Sequence, residues 1–166
     1  MDFKYVLSHF KVRGLALAVL LTTFSTTAVA ATPCWQAEEN PVTKAPYESA
    51  QDWDHDLEYW SQRRPGKGNP LYLVRAYSTY RFEQKAAMSF KNDKQIHCFY
   101  GCRISQRTNF QTAQYVAWLK EDRDIKDCNL KTHFEIADFE ATIKGAEFGT
   151  STKSREECAQ VCSQQF

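Results

Sequence analysis

The chain has 166 residues, of which 21 are Lys or Arg and 20 are Asp or Glu, giving a formal net charge of +1. This balance provides no surplus of positive charge for contacts with phosphate backbones, so we expect no nucleic-acid binding. The length is that of one domain preceded by a leader.

The first 30 residues have the pattern of a signal peptide. Residues 1–14 carry three basic side chains, residues 15–24 form an apolar run, and residues 28–30 are small, as signal peptidase requires. The apolar run is shorter than the roughly 20 residues that span a bilayer. We therefore expect cleavage before Ala31, a single domain over residues 31–166, and no stable membrane anchor after cleavage. Removal of the leader leaves 18 Lys and Arg against 19 Asp and Glu.

All six cysteines lie after the leader: Cys34, Cys98, Cys102, Cys128, Cys158 and Cys162. An even number of cysteines in an exported chain is typical of a disulfide framework. The alternative is a zinc site made of four thiolates from the two C-x₃-C pairs. We favour disulfides, because the export compartment is oxidising and a metal site would leave two cysteines unexplained. No metal and no other cofactor is expected.

The segment after the leader begins with an extended lead-in over residues 31–45, because it is rich in proline. An apolar stripe at helical spacing over Tyr47–Trp60 predicts the first helix, and the prolines and glycines of Arg63–Pro70 predict a turn. Residues Leu71–Phe90 suit either a strand or a helix. We favour a helix capped by Asn69, because the second half contains strong helix formers.

Four further helices follow from their stripes and capping residues. Asn92 or Asp93 caps a helix that extends to about Gln106, and an apolar stripe over residues 108–128 predicts the next. Two more segments begin with capping-box spacings, Thr132 with Glu135 and Ser154 with Glu157, and Gly149 suits the C′ position between them. The sequence therefore predicts an all-α, disulfide-stapled domain of about five or six helices.

The paired spacing of four cysteines suggests how two helices are joined. Cys98 and Cys102 lie on one face of a helix, and Cys158 and Cys162 repeat that spacing. Two antiparallel helices would then form the rungs Cys98–Cys162 and Cys102–Cys158, which leaves Cys34–Cys128 to hold the lead-in. This is one of several possible connectivities.

His97 is the candidate catalytic residue. Asp93 lies one turn before it and can orient the imidazole, while Gly101 lies one turn after it and leaves space for another group to approach. These features suit a general acid or base in a shallow site. The alternative is a partly buried histidine paired with a local carboxylate.

Acidic residues on two other helices are candidates to complete such a site. Glu121 lies in the charged segment Lys120–Asp127, and Asp138 lies beside an apolar stripe, where a carboxylate needs a partner such as Arg103 or Lys120. The alternative is that Lys120–Asp127 is a solvated helix face crossed by salt bridges and that Asp138 is an ordinary ion-pair partner.

The segments HCFYGCRIS, LKEDRD and ADFEATIKGAEFG, with the terminal C-x₃-C, resemble uncharacterised bacterial helical domains. These domains occur as small secreted proteins and at the C-terminal ends of Rhs-type (YD-repeat) polymorphic toxins. The resemblance covers about residues 93–162 and implies that His97, Glu121 and Asp138 match positions of the motif. An asparagine often stands where this chain has Ala141 or Thr142.

The sequence contains no complete catalytic motif: no G-x-S-x-G, no H-E-x-x-H, no P-loop and no dinucleotide-binding glycine pattern. We therefore expect an exported helical protein that binds another protein in the periplasm or outside the cell, as an inhibitor or immunity-type protein does. The alternative is a secreted hydrolase or toxin-like enzyme that uses His97 as general acid or base, with Glu121 or Asp138 orienting it or holding a cation. A structural component of a surface assembly is a third possibility.

Overall fold

A computed structural model describes residues 34–40, 43–127, 129, 132 and 134–166. The predicted signal peptide and the Cys128 half of the predicted Cys34–Cys128 pair lie outside these residues. In the described residues there are seven helices and no strand: α1 (Cys34–Ala37), α2 (Ala50–Gln62), α3 (Pro70–Ala87), α4 (Asp93–Arg107), α5 (Phe110–Asp124), α6 (Ile136–Phe148) and α7 (Arg155–Gln165). The all-α class is confirmed, and the helix beyond the predicted number is the single turn α1, in the lead-in that we expected to be extended.

Side-chain caps define where most helices begin. Asn69 accepts a hydrogen bond from the Leu71 amide, with Pro70 in the first helical position, so the segment that also suited a strand is a helix. The other side-chain caps are Ser49 on α2, Asn92 on α4, Asn109 on α5 and Ser154 on α7. Each satisfies an amide that has no partner within its helix, which contributes about 1 kcal/mol per cap.

The predicted capping box at the start of α6 is wrong. The helix begins at Ile136, and Glu135 is its N-cap without a side-chain capping bond. The amide of Glu135 instead donates to Glu121 Oε2 on α5 at 3.0 Å, while the Thr132 hydroxyl bonds to Asp127. A carboxylate from a different helix therefore does the capping, and local spacing cannot reveal this.

The end of α6 lies where Gly149 predicts it, but for another reason. Gly149 is the C-cap and has a right-handed conformation with φ −61°, so no left-handed turn requires glycine here. A Cβ at this position would lie 2.4 Å from the Cys102 carbonyl oxygen of α4. The close approach of α4 requires the glycine.

The helices α4 and α6 make the closest contact in the described residues. A Cβ at Gly101 would lie 2.0 Å from the Thr142 carbonyl oxygen, and a Cβ at Gly145 would lie 1.9 Å from the Cys98 carbonyl oxygen. The glycine does leave space for another group, and the group that approaches it is the backbone of α6. The two helices run parallel, since the contacts advance together along both.

Two disulfides hold α7 against α4. They join Cys98 to Cys162 and Cys102 to Cys158, which confirms both predicted rungs and makes the two helices antiparallel. Cys34 Sγ lies 3.8 Å from the Lys126 carbonyl oxygen, two residues before Cys128 in the sequence. The Cys34–Cys128 pair stays a prediction.

The core has two parts. One surrounds the disulfides and includes Phe99 and Ala87. The other surrounds Trp60, which stacks on Trp118 with ring centroids 6.5 Å apart and accepts a hydrogen bond from its indole at the main-chain oxygen. The second part holds α5 against α2. Glu121, one of the three candidate site residues, lies on α5.

The disulfides indicate an oxidising environment for the folded protein. A search of the described residues finds no helix with the length and apolar character needed to cross a bilayer.

Candidate functional site

His97 and Asp138 meet where α4 lies on α6. His97 Nε2 is 3.2 Å from Asp138 Oδ2 and 3.8 Å from Asp93 Oδ2. The glycine-mediated contact between the helices brings these side chains together, because His97 lies one turn before Gly101. Only 13% of the His97 side chain is exposed.

Thr142 fixes the orientation of the imidazole from the other side. Its hydroxyl donates to the Asp138 carbonyl oxygen at 2.8 Å, one turn back along α6. It also lies 3.3 Å from His97 Nδ1, within hydrogen-bonding distance, and the tautomer of the ring decides which of the two donates. The other ring nitrogen, Nε2, faces the two carboxylates.

The surroundings alter the pKa values of both partners. Burial lowers the pKa of His97, against the opposing effect of Asp138 and with a further lowering by Lys120. Burial alone would raise the pKa of Asp138, but His97, Lys94 and Lys120 together lower it. Asp138 is therefore an anion under ordinary conditions, and the ring of His97 is readily neutral.

Two lysines reach Asp138, as a carboxylate beside an apolar stripe requires. Lys120 Nζ lies 3.4 Å from Asp138 Oδ2, and Lys94 contacts Asp138 Oδ1 and Glu135. Lys120 was a predicted partner. Lys94 was not predicted, although its position three residues before His97 and next to Asp93 places it at the start of the same helix.

Arg103, the other predicted partner of Asp138, belongs to a different network. Its guanidinium bonds to the fully buried Glu83 of α3 at 2.8 Å, and Arg155 of α7 contacts the other oxygen of that carboxylate. This network joins α3, α4 and α7.

Glu121 joins the site through Lys120. Its side chain is 1% exposed and lies 2.9 Å from Lys120 Nζ, which also contacts Asp124. The interpretation of Lys120–Asp127 as a wholly solvated face is therefore wrong for Glu121 and Asp124. Burial raises the pKa of Glu121 to about 7, although Lys120 and the Glu135 amide stabilise the ionised form.

The three predicted site residues therefore belong to one connected cluster on α4, α5 and α6: His97 contacts Asp138, Asp138 contacts Lys120, and Lys120 contacts Glu121. The contribution of Thr142 was missed, although its position four residues after Asp138 places both on one helix face. Among the described residues, Asp93, His97 and Asp138 offer donor atoms within 4.8 Å of one another, so these three side chains could hold a metal ion.

A second feature with functional potential is the exposed side of α3. Four large apolar side chains are exposed there: Leu71 (75%), Val74 (61%), Phe82 (69%) and Met88 (82%). Arg75, Arg81 and Lys85 are exposed on the same side. We call these seven residues the α3 face.

Comparisons of the chain with family models, with curated proteins and with solved structures find no match. The resemblance to secreted and toxin-associated helical domains stays a prediction.

Proposed function

We propose that the mature chain is an exported protein that binds another protein, in the periplasm or outside the cell, as an inhibitor or immunity-type protein does. The observation that carries this proposal is the α3 face, on which three of the four apolar side chains are more than two-thirds exposed. Several exposed apolar side chains on one side of a helix are typical of protein-interaction sites.

The charges on the α3 face define the partner. Every charged residue on the exposed side of this helix is basic, because its one acidic residue, Glu83, is buried against Arg103. Two copies of the face would bring like charges together, which disfavours self-association. The partner is therefore a protein that presents an apolar strip bordered by carboxylates.

The test uses the mature, oxidised chain with a photo-crosslinking side chain at Phe82 or, as a control, at Tyr59, an exposed aromatic on α2. Extract from the compartment of export supplies the partner, which is then purified. We expect crosslinking from position 82 only. We also expect Phe82→Ser to weaken the affinity at least about 10-fold, since a central aromatic anchor is often worth about 2 kcal/mol.

The binding control is Tyr59→Ser, for which we expect unchanged affinity. Affinity that falls with added salt would support the acidic character of the partner. Repeated failure to recover a partner, crosslinking from both positions, or binding to anionic lipid vesicles in place of protein would overturn the proposal.

A second function, a secreted hydrolase, is favoured by a separate observation: the predicted His97, Glu121 and Asp138 lie in one cluster. In this proposal Asp138 orients His97, which acts as general acid or base. The test replaces His97 with Asn and measures toxicity and hydrolysis after export, with circular dichroism to check folding. His55→Asn, an exposed histidine on α2, is the control. Unchanged toxicity and hydrolysis in a folded His97 variant would exclude this function.

A further inference from the structure

We infer that Asp93, His97 and Asp138 bind one divalent transition-metal ion, such as Zn²⁺. The inference goes beyond the proposed binding function and does not depend on it. It rests on three donor atoms that face one another at the N-terminal end of the contact between α4 and α6: His97 Nε2, Asp93 Oδ2 and Asp138 Oδ2.

The separations between the donor atoms fit such an ion. Ligands about 2.0–2.1 Å from a tetrahedral metal ion lie about 3.3 Å from one another. His97 Nε2 lies 3.2 Å from the Asp138 oxygen and 3.8 Å from the Asp93 oxygen. Binding therefore requires only a small movement of Asp93, whose side chain is 61% exposed and free to adjust.

The contact of Thr142 with the imidazole supplies a second argument. The Thr142 hydroxyl lies 3.3 Å from Nδ1, so Nε2 is the ring nitrogen that faces the two carboxylates. A metal ion that replaces the proton on Nε2 would bind all three donor atoms at once. A partner on the second ring nitrogen that fixes the tautomer is also the usual arrangement around metal-binding histidines.

The lysines approach two of these donor atoms only at longer distances: Lys94 Nζ lies 3.6 Å from Asp93 Oδ2, and Lys120 Nζ lies 3.4 Å from Asp138 Oδ2. Their nearer contacts are elsewhere, with Lys94 on Asp138 Oδ1 and Glu135, and Lys120 2.9 Å from both Glu121 and Asp124. Five carboxylates face these two ammonium groups, so the cluster favours an added positive charge.

One imidazole with two carboxylates is a donor set that suits Zn²⁺ and similar ions better than Mg²⁺ or Ca²⁺, which prefer oxygen alone. Three protein ligands leave a tetrahedral ion one position for water or for an oxygen of a bound molecule. A metal ion here would therefore present an exchangeable site at the surface where Asp93 is exposed.

The test is isothermal titration of the untagged, chelator-treated mature protein with ZnCl₂, and with MgCl₂ for comparison. We expect one Zn²⁺ per chain and no comparable heat with Mg²⁺. We expect Asp93→Asn to weaken Zn²⁺ binding at least about 10-fold, as loss of one ligand does. Because Asp93 is exposed, this variant is expected to fold, which circular dichroism checks. Folded His97→Asn is expected to abolish binding.

Two control variants are matched to these changes. Glu156→Gln removes an exposed carboxylate from the first turn of α7, as Asp93→Asn does on α4, and His55→Ala removes an exposed histidine. Both are expected to bind Zn²⁺ as the wild type does. Absence of Zn²⁺ binding, affinity unchanged in Asp93→Asn, or affinity lost in His55→Ala would overturn the inference. Partner binding through the α3 face is measured separately, so the two proposals can fail independently.

Discussion

At the scale of single residues, Gly101 is a position where one added methyl group has a large predicted effect. Its Cβ would lie 2.0 Å from the Thr142 carbonyl oxygen. In an exposed helix Gly→Ala is stabilising by about 1 kcal/mol, but here the backbone contact has to open. We expect Gly101→Ala to lower the free energy of unfolding by at least about 2 kcal/mol, measured by urea denaturation.

The control for this prediction is Gly66→Ala. A Cβ there would meet only the end of the Gln111 side chain, at 3.1 Å, and that side chain can move. We expect a change within about 0.5 kcal/mol. Equal effects of the two variants would contradict the close contact between α4 and α6.

Glu121 gives a prediction about pH. Its pKa is raised from 4.5 to about 7, so between these values the folded protein binds more protons than the unfolded chain. Stability contributed by this protonation is therefore present at low pH and is lost as pH rises to about 7, by on the order of 3 kcal/mol. Glu121→Gln keeps an acceptor for the Glu135 amide but does not titrate.

The measured quantity is the free energy of unfolding of Glu121→Gln minus that of the wild type, from pH 5 to 8. We expect this difference to increase with pH. His97 is present in both proteins, as are Lys120 and Asp124, which contact Glu121 or its partner. A difference that is constant with pH would contradict the assigned environment of Glu121.

At the scale of helices and their connections, the two disulfides do not stabilise the fold independently of each other. Whichever disulfide is considered first closes a loop of 56 or 64 residues. Once it is present, the second closes a ring of only about ten residues, which removes less entropy from the unfolded chain. In the chain-entropy model the first is worth about 4 kcal/mol and the second about 2–3 kcal/mol.

We therefore expect Cys102→Ala with Cys158→Ala to lower the free energy of unfolding by about 2–3 kcal/mol, and removal of all four cysteines to lower it by about 6–7 kcal/mol. Guanidinium denaturation measures both. If removing the second disulfide lowers the free energy of unfolding by no more than removing the first, the two disulfides are not coupled in this way.

Most helices could be predicted because their signals are local. Asn69, Asn92 and Ser154 cap helices by bonds to amides two or three residues away, and the paired cysteine spacing reports one face of a helix. The start of α6 could not be predicted, since the Glu135 amide is satisfied by Glu121 from another helix. The burial of Glu121 could not be predicted either, because its sequence neighbours are those of a solvated helix.

At the scale of the whole molecule, the disulfides require that folding be completed in an oxidising compartment. We expect the chain expressed with its leader to be recovered as residues 31–166 without free thiols. Peptide mapping under non-reducing conditions is expected to give the crosslinks 98–162 and 102–158, and the predicted 34–128. Six free thiols, or a metal ion held by them, would contradict this.

The parallel contact between α4 and α6 restricts which insertions and deletions the protein can tolerate. A helix turns by about 100° per residue, so one residue gained or lost between His97 and Gly101 would direct the imidazole away from Asp138. The segments from Asp93 to Cys102 and from Asp138 to Gly149 therefore form a pair whose lengths are fixed relative to each other. Changes in chain length belong in the loop from Arg64 to Lys67, where a reporter peptide can be inserted without altering the spacing within either helix.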